Sequence, residues 1–391
     1  MSHTQPPTLL LKAGKEKSIL QRHPWIFSGA FAQVPEGLAD GAIVQVANQQ
    51  QQFMAIGHYT KSSIMVRILS FEKLMLDQHY WNEVIEKAWI RRKLIFEHTL
   101  QTNAFRLVHG EGDQLPGLIV DVYNFTAVIQ CHSPGMLQHQ LQIAQALLAL
   151  VDLEIKVVYN KKILDTDSDR CIHGTPETVV CIENGIYFEV DYQAGQKTGF
   201  FLDQRENRKL LGQYAKGKTV LNTFSYSGGF SLYALAAGAL KVTSVDSAKK
   251  ASHWTNQNLE LNKNIDPSRH QFLLADAFEF IKSNPLNEYD LIVLDPPAFA
   301  KHLDAVKRAM IGYRNLNAET MKGMKSNSLL FTFSCSQVID KDLFRKIIFQ
   351  AAMQAKRKVS ILHQLSQPAD HPINVYHPEG EYLKGLVLLV A

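Results

Sequence analysis

Hydrophobic and polar positions change their period along the chain. Up to about Leu69 the apolar residues fall in short β-like runs, Ala42–Ala47, Phe53–Ile56 and Ile64–Leu69, punctuated by Gly37, Asp40-Gly41 and Gly57. This pattern predicts a compact β-rich domain. A helical stripe follows over Asp77–Glu97, with Trp81, Val84, Ile85, Ala88 and Ile95 on one face. Beyond it, strands are expected at Phe105–Val108, Gly117–Val122, Ala127–Cys131, Lys156–Tyr159 and Ile186–Val190, around one helix over Met136–Val151. From about Asp191 the pattern alternates β and α. Strand-like runs stand at Thr219–Thr223, Lys241–Val245, Gln271–Ala275, Leu291–Leu294, Leu329–Phe333, Val359–His363 and Gly385–Val390, with helical segments between the first six. Such alternation predicts a mostly parallel, doubly wound α/β sheet. A long loop without a helix joins the last two runs, which lets the final strand insert antiparallel. The expected organisation is a β-rich domain over 1–71, an α+β middle domain over 72–190 and a Rossmann-like domain over 191–391.

Composition narrows the class. Hydrophobic residues make up 46% and charged residues 20% of the 391 positions, an ordinary globular balance. No apolar run approaches the ~20 residues that span a bilayer. The N-terminus lacks the basic start and apolar core of a secretory signal, so a soluble, cytoplasmic protein is expected. A net charge of +4 permits nucleic-acid binding without demonstrating it. In the first domain Lys12, Lys15, Lys17, Arg22, Lys61 and Arg67 outnumber Glu16, Glu36 and Asp40, with Trp25 and Phe27 nearby. That surface suits phosphate contacts with base stacking. It is equally a solvated charged face with Trp25 in the core. Cys131, Cys171, Cys181 and Cys335 form no CxxC pair and no disulfide framework, so no metal site is expected.

Candidate chemistry gathers at the strand ends, where open α/β sheets bind ligands. The first strand of the last domain runs into Phe224-Ser225-Tyr226-Ser227-Gly228-Gly229-Phe230, a tight turn without the dinucleotide fingerprint. The second ends at Asp246, placed to accept ribose hydroxyls. The third ends at Asp276, placed to accept an adenine amino group, with Ala277 or Phe278 against the ring. The fourth ends in Asp295-Pro296-Pro297. Each acid alone is equally a helix N-cap; acids at three successive strand ends behind a glycine turn point to a cofactor.

These features resemble the class I methyltransferases, whose seventh strand is antiparallel. The segment Lys197-Thr198-Gly199-Phe200-Phe201-Leu202-Asp203-Gln204-Arg205, followed by the Phe224–Phe230 loop, resembles more closely the bacterial 23S ribosomal RNA cytosine-5 methyltransferase family with an N-terminal PUA domain. The PUA-like features are His23-Pro24-Trp25-Ile26-Phe27, Asp40-Gly41, Ala55-Ile56-Gly57-His58-Tyr59 and Val66-Arg67-Ile68-Leu69. The resemblance covers essentially the whole chain. It implies S-adenosylmethionine as cofactor, covered by Lys197, Thr198, Phe200, Asp203 and Arg205 and lined by Phe224, Ser225, Gly228, Asp246, Asp276, Ala277 and Asp295. Arg205 or Lys197 would meet the cofactor carboxylate. It implies RNA as partner, docked by Lys12, Arg22, Trp25, Lys61 and Arg67, and a homodimer as an open expectation.

Asp295-Pro296-Pro297-Ala298-Phe299 admits two chemistries. A D/N-P-P-aromatic loop suits methylation of exocyclic amines, although here Ala298 intervenes before the aromatic. Alternatively Cys335, in Phe333-Ser334-Cys335-Ser336 at the end of the fifth strand, faces Asp295 across the pocket. Carbon 5 of cytosine is a weak nucleophile; a thiolate added to carbon 6 makes it electron-rich, and cysteine then leaves readily. Asp295 would hydrogen-bond the ring at N3. No cysteine lies in the Pro296–Ala300 loop, so the base that removes the carbon-5 proton is unassigned; His302 is a weak candidate. Tyr313-Arg314-Asn315-Leu316-Asn317 resembles a family motif and reads equally as a structural helix face.

Overall fold

The computed structural model describes residues 5–96, 101–164, 168–300 and 302–391. They divide into two compact units. One comprises the chain up to Cys181 with Val190–Phe200 and Ala369–Gly380; the other comprises Ile182–Glu189, Phe201–Pro368 and Glu381–Ala391.

The first unit opens with β1 (Thr8–Leu11), the single-turn α1 (Lys17–Leu20), β2 (Trp25–Phe27), β3 (Phe31–Gln33), β4 (Ile43–Ala47), β5 (Phe53–Tyr59) and β6 (Ile64–Ser70). They form a six-stranded sheet in the order β2-β6-β5-β4-β1-β3. The three anticipated runs are β4, β5 and β6. The strands before them escape periodicity because three or four residues are too few to show it. Alternate residues Leu9, Leu11, Val44, Val46 and Val66 enter one apolar core. Next come α2 (Gln78–Phe96), β7 (Ala104–His109), β8 (Leu118–Tyr123), β9 (Thr126–Cys131), α3 (Pro134–Gln138), α4 (Gln140–Leu148), β10 (Val157–Asn160) and β11 (Arg170–His173), with sheet order β11-β10-β9-β8-β7. Trp81, Ile85 and Ala88 of α2 pack into that sheet's core, as the stripe foretold.

The single helix expected over Met136–Val151 is instead two, broken at His139. The cause is local. Ser133 caps α3 through the Met136 N–H, and His139 Nδ1–H donates back to the Gly135 carbonyl at 2.8 Å while its ring stacks on His58 at 4.9 Å. The chain passes to the second unit through a hairpin of β12 (Val179–Glu183) and β13 (Ile186–Val190).

The second unit contains α5 (Arg205–Ala215), β14 (Thr219–Thr223), α6 (Gly229–Ala236), β15 (Lys241–Asp246), α7 (Lys249–Leu261), β16 (His270–Leu274), α8 (Ala277–Ser283), β17 (Leu291–Leu294), α9 (Val306–Gly323), β18 (Ser328–Ser334), α10 (Lys341–Ala355), β19 (Val359–Ser366) and β20 (Lys384–Val390). Sheet order is β16-β15-β14-β17-β18-β20-β19. The first five strands are parallel, and β20 is antiparallel to both neighbours, as the missing helix predicted. Gly385 makes that insertion possible: a Cβ there would lie 2.4 Å from the Phe333 ring. Strand order reverses between β14 and β17, which opens a crevice at the carboxyl ends of the strands. No helix among the described residues is long and apolar enough to cross a membrane.

Candidate active site

The turn after β14 curls through left-handed backbone. Phe224 has φ of 55°, Tyr226 of 48° and Gly228 of 79°. Two non-glycine residues in that region mark a conformation held by its surroundings. The holding group is Asp246 at the end of β15: one carboxylate oxygen accepts the Tyr226 N–H at 2.9 Å and the other the Ala248 N–H at 2.9 Å. A Cβ on Gly228 would lie 2.7 Å from Thr255, so the turn admits only glycine there. Ser225 is 5% exposed, and its hydroxyl has no hydrogen-bond partner. A buried hydroxyl of that kind is unusual, and it fits a polar ligand at this turn.

Asp276 is exposed and caps α8, accepting Phe278 N–H at 2.9 Å and Glu279 N–H at 3.0 Å through one oxygen. The capping reading therefore holds for that oxygen and leaves the second facing solvent. Ala277 is buried beneath the first turn of α8. An aromatic run crosses the crevice from Phe224 to Phe278 (5.7 Å between centroids), Phe299 (5.9 Å) and Tyr313 (4.3 Å).

Leu294 of β17 pairs with Thr332 of β18, so Asp295 and Cys335 leave the same end of adjacent parallel strands. Both are half-buried, whereas Cys131 and Cys181 are fully buried. Asp295 accepts from Gln204 Nε2 at 3.0 Å, and Gln204 in turn accepts from Asn207 at 2.6 Å. Asp203 accepts from the Tyr382 hydroxyl at 2.8 Å. Arg205 is 2% exposed with Nε 3.2 Å from Glu206, too buried to be a surface pair. Tyr313 lies within 3.1 Å of Ser336 Oγ, and burial raises its hydroxyl above the ordinary tyrosine range. It braces the Asp295 loop and the Cys335 loop together. His302 is exposed.

Lys197, Thr198 and Phe200 belong to the first unit. Lys197 is exposed with φ of 49°, and Phe200 is buried. Thr198 is fully buried; its hydroxyl donates to Asp121 at 2.6 Å and lies 2.9 Å from that of Tyr123, so it is engaged inside that unit. On the six-stranded sheet Lys12, Arg22 and Lys61 are exposed and Arg67 is half-buried. Trp25 stands outside the core that holds Ile26; its indole donates to Glu111 at 2.9 Å and meets the His377 ring at 4.3 Å.

Sequence reasoning passed over Gln204, although it lies inside the quoted motif, because only the fold brings it to Asp295.

The family profile of S-adenosylmethionine-dependent methyltransferases matches residues 136–324, and that of PUA-like domains matches residues 9–71. The ribosomal RNA large subunit methyltransferase I of Alteromonas mediterranea is 37% identical over 392 residues, covering 97% of this chain and 98% of that protein. That of Aeromonas salmonicida is 38% identical over 391 residues, covering 97% and 98%. A crystal structure of the methyltransferase SMU.776 complexed with SAH superimposes with a TM-score of 0.85 at 26% identity, covering 98% of this chain and 100% of that one. With a PUA-like start, a class I sheet and relatives that match it from end to end, the chain belongs to the family of S-adenosylmethionine-dependent ribosomal RNA large subunit methyltransferases I.

Proposed function

We propose that the protein methylates carbon 5 of a cytidine in 23S ribosomal RNA, in the cytoplasm, through a covalent bond between Cys335 and carbon 6 of the base. Residues 1–71 dock RNA through Lys12, Arg22, Trp25, Lys61 and Arg67, residues 72–190 form the middle domain, and residues 191–391 carry the chemistry. The relatives' names supply the large-subunit RNA. The observation that carries the carbon-5 reading is a half-exposed cysteine leaving the sheet beside Asp295, since amine methylation needs no thiol.

The Ser225 hydroxyl and the Gly228 turn fit S-adenosylmethionine, which when bound supplies an electrophilic methyl group. Asp246 receives the ribose hydroxyls and the outer oxygen of Asp276 the adenine amine. Arg205 or Lys197 meets the carboxylate, and Thr198, Phe200 and Asp203 shape the cover. The target base leaves its stack to enter the crevice. Cys335 adds to carbon 6, which loads electron density on carbon 5. Asp295, held by Gln204, bonds the ring at N3. After methyl transfer the carbon-5 proton departs, the double bond reforms and Cys335 is released.

RNA bearing 5-fluorocytidine tests this. Fluorine cannot leave as a cation, so the enzyme should form a stable protein–RNA adduct, and Cys335→Ala should form none. An alanine variant that still methylates RNA near the wild-type rate would transfer the reading to exocyclic-amine methylation.

A further inference from the structure

Lys384 begins β20 and is 3% exposed. It stands directly opposite Ser334 in the β18–β20 register, one residue from Cys335. Its Nζ donates to the Ser336 carbonyl at 2.6 Å and the Tyr382 carbonyl at 2.7 Å. The ammonium is thus fastened to the peptide on the far side of the cysteine. A lysine ammonium has three donors, and two of them go to neutral carbonyls, in a place where lysine is almost never buried unpaired.

We propose that Lys384 is a positioning residue that holds the Cys335 sulfur as a thiolate. The proposal rests on the reading of Cys335 as the nucleophile. The thiol S–H bond breaks, its proton passes to solvent water, and the thiolate left behind is compensated by the Lys384 ammonium already in place. The sulfur then carries the electron pair that adds to carbon 6. Burial pushes the Lys384 ammonium down to about 8, against the opposing pull of Cys335, then Glu381 and Asp340, while Lys341 adds to the lowering. Those groups arrive from several elements: Asp340 and Lys341 from the start of α10, Glu381 from the loop before β20, and Tyr313 from α9. Of the two acids that also act on Lys384, Glu381 is paired with Lys341 and Asp340 caps α10 through the Leu343 N–H. A nearby opposite charge favours the charged form of its partner by about one to three pH units, so on this proposal thiol ionisation moves downward.

The test needs no RNA and no cofactor. Alkylation of Cys335 by iodoacetamide is followed against pH in the full-length protein by peptide mass spectrometry, which separates it from the half-exposed Cys171. In the wild type the midpoint should lie below the about 8.5 of a free thiol; a midpoint at or above that value overturns the proposal by itself. Lys384→Gln keeps a donor for the carbonyls and removes the charge. Its midpoint should rise by about one unit or more, a roughly tenfold loss of reactivity near neutrality, while Lys384→Arg should stay near wild type. A folded glutamine variant with an unmoved midpoint, or an arginine variant that moves as far as glutamine, overturns it. The alkylation shift stands even if Cys335→Ala remains active, a result that would instead remove the nucleophile reading.

Discussion

Acidic residues do opposite work around the five-stranded sheet of the first unit and at the strand ends of the second. In the first, the side chains of Asp113 and Asp121 have no exposed surface and are saturated. Arg92, itself fully buried, forks onto Asp113 with two bonds of 2.6 Å, and Arg106 forks onto Asp121 at 2.7 and 2.8 Å. Asp121 also takes the Thr198 hydroxyl, and Asp370 binds the Arg106 N–H at 3.0 Å. Such charges hold distant segments in place and have nothing left for a ligand. At the strand ends, Asp246, Asp276 and Asp295 are half-buried or exposed; backbone N–H groups hold Asp246 and Asp276, and Asp295 accepts from the Gln204 amide. An acid is available to chemistry when solvent reaches it, whatever its place in the sequence.

Mutations should separate these two populations. Cys335→Ala should lower methyl incorporation into ribosomal RNA by more than about a thousandfold, the scale on which nucleophile deletions act. Calorimetric affinity for S-adenosylmethionine and the melting curve should hardly change. Asp113→Asn leaves Arg92 charged and buried, and should cost about 3–5 kcal/mol of stability in a urea titration; a cost below about 1 kcal/mol would erase the contrast between the two regions. Asp246→Ala should weaken the cofactor by roughly 1–3 kcal/mol, measured by calorimetry on folded protein, with a much smaller loss of stability than Asp113→Asn.

The first unit also carries a pH signature that the second unit's open site does not need. His58 is fully buried, both ring nitrogens lack partners, and burial drops it to about 3 from 6.5. A depressed histidine binds its proton in the unfolded chain first, so its contribution is complete above pH 6.5 and is lost as pH falls toward 3. Unfolding free energy should therefore decline by about 1.4 kcal/mol per pH unit within that window. His58→Leu should flatten the slope, and equal slopes would show that the histidine does not titrate on unfolding. The smallest effect is expected on the proposed RNA face. Lys12→Gln and Lys61→Gln should each reduce the salt dependence of RNA binding by roughly 0.7–0.9 in the logarithmic slope. Unchanged slopes would remove those lysines from the interface.

Long periodic elements were legible from the chain alone. Thr219–Thr223 and Leu291–Leu294 coincide with β14 and β17, and the antiparallel last strand followed from a missing helix. Strands β1, β2, β3 and β11 were not legible, because they lack the uninterrupted four-residue apolar run of Leu291–Leu294 and their pairing is tertiary. The break at His139 was hidden because its cause, the stack on His58, comes from far away in sequence. At the candidate site the acids at strand ends and Cys335 could be read, since strand ends are local features. Gln204 and Lys384 could not, because their partners lie far along the chain.

The sequence by itself determined the doubly wound sheet, the strand-end placement of Asp246, Asp276, Asp295 and Cys335, and the basic β-rich start. All of these follow from local periodicity and turn chemistry. Only the tertiary structure decided which charges are structural and which are open. Burial is a property of neighbours: Asp113 and Asp276 look alike in the chain, yet Arg92 encloses one and solvent meets the other. It likewise decided that Lys384 comes to lie beside Cys335, because an antiparallel strand brings the start of β20 against the end of β18.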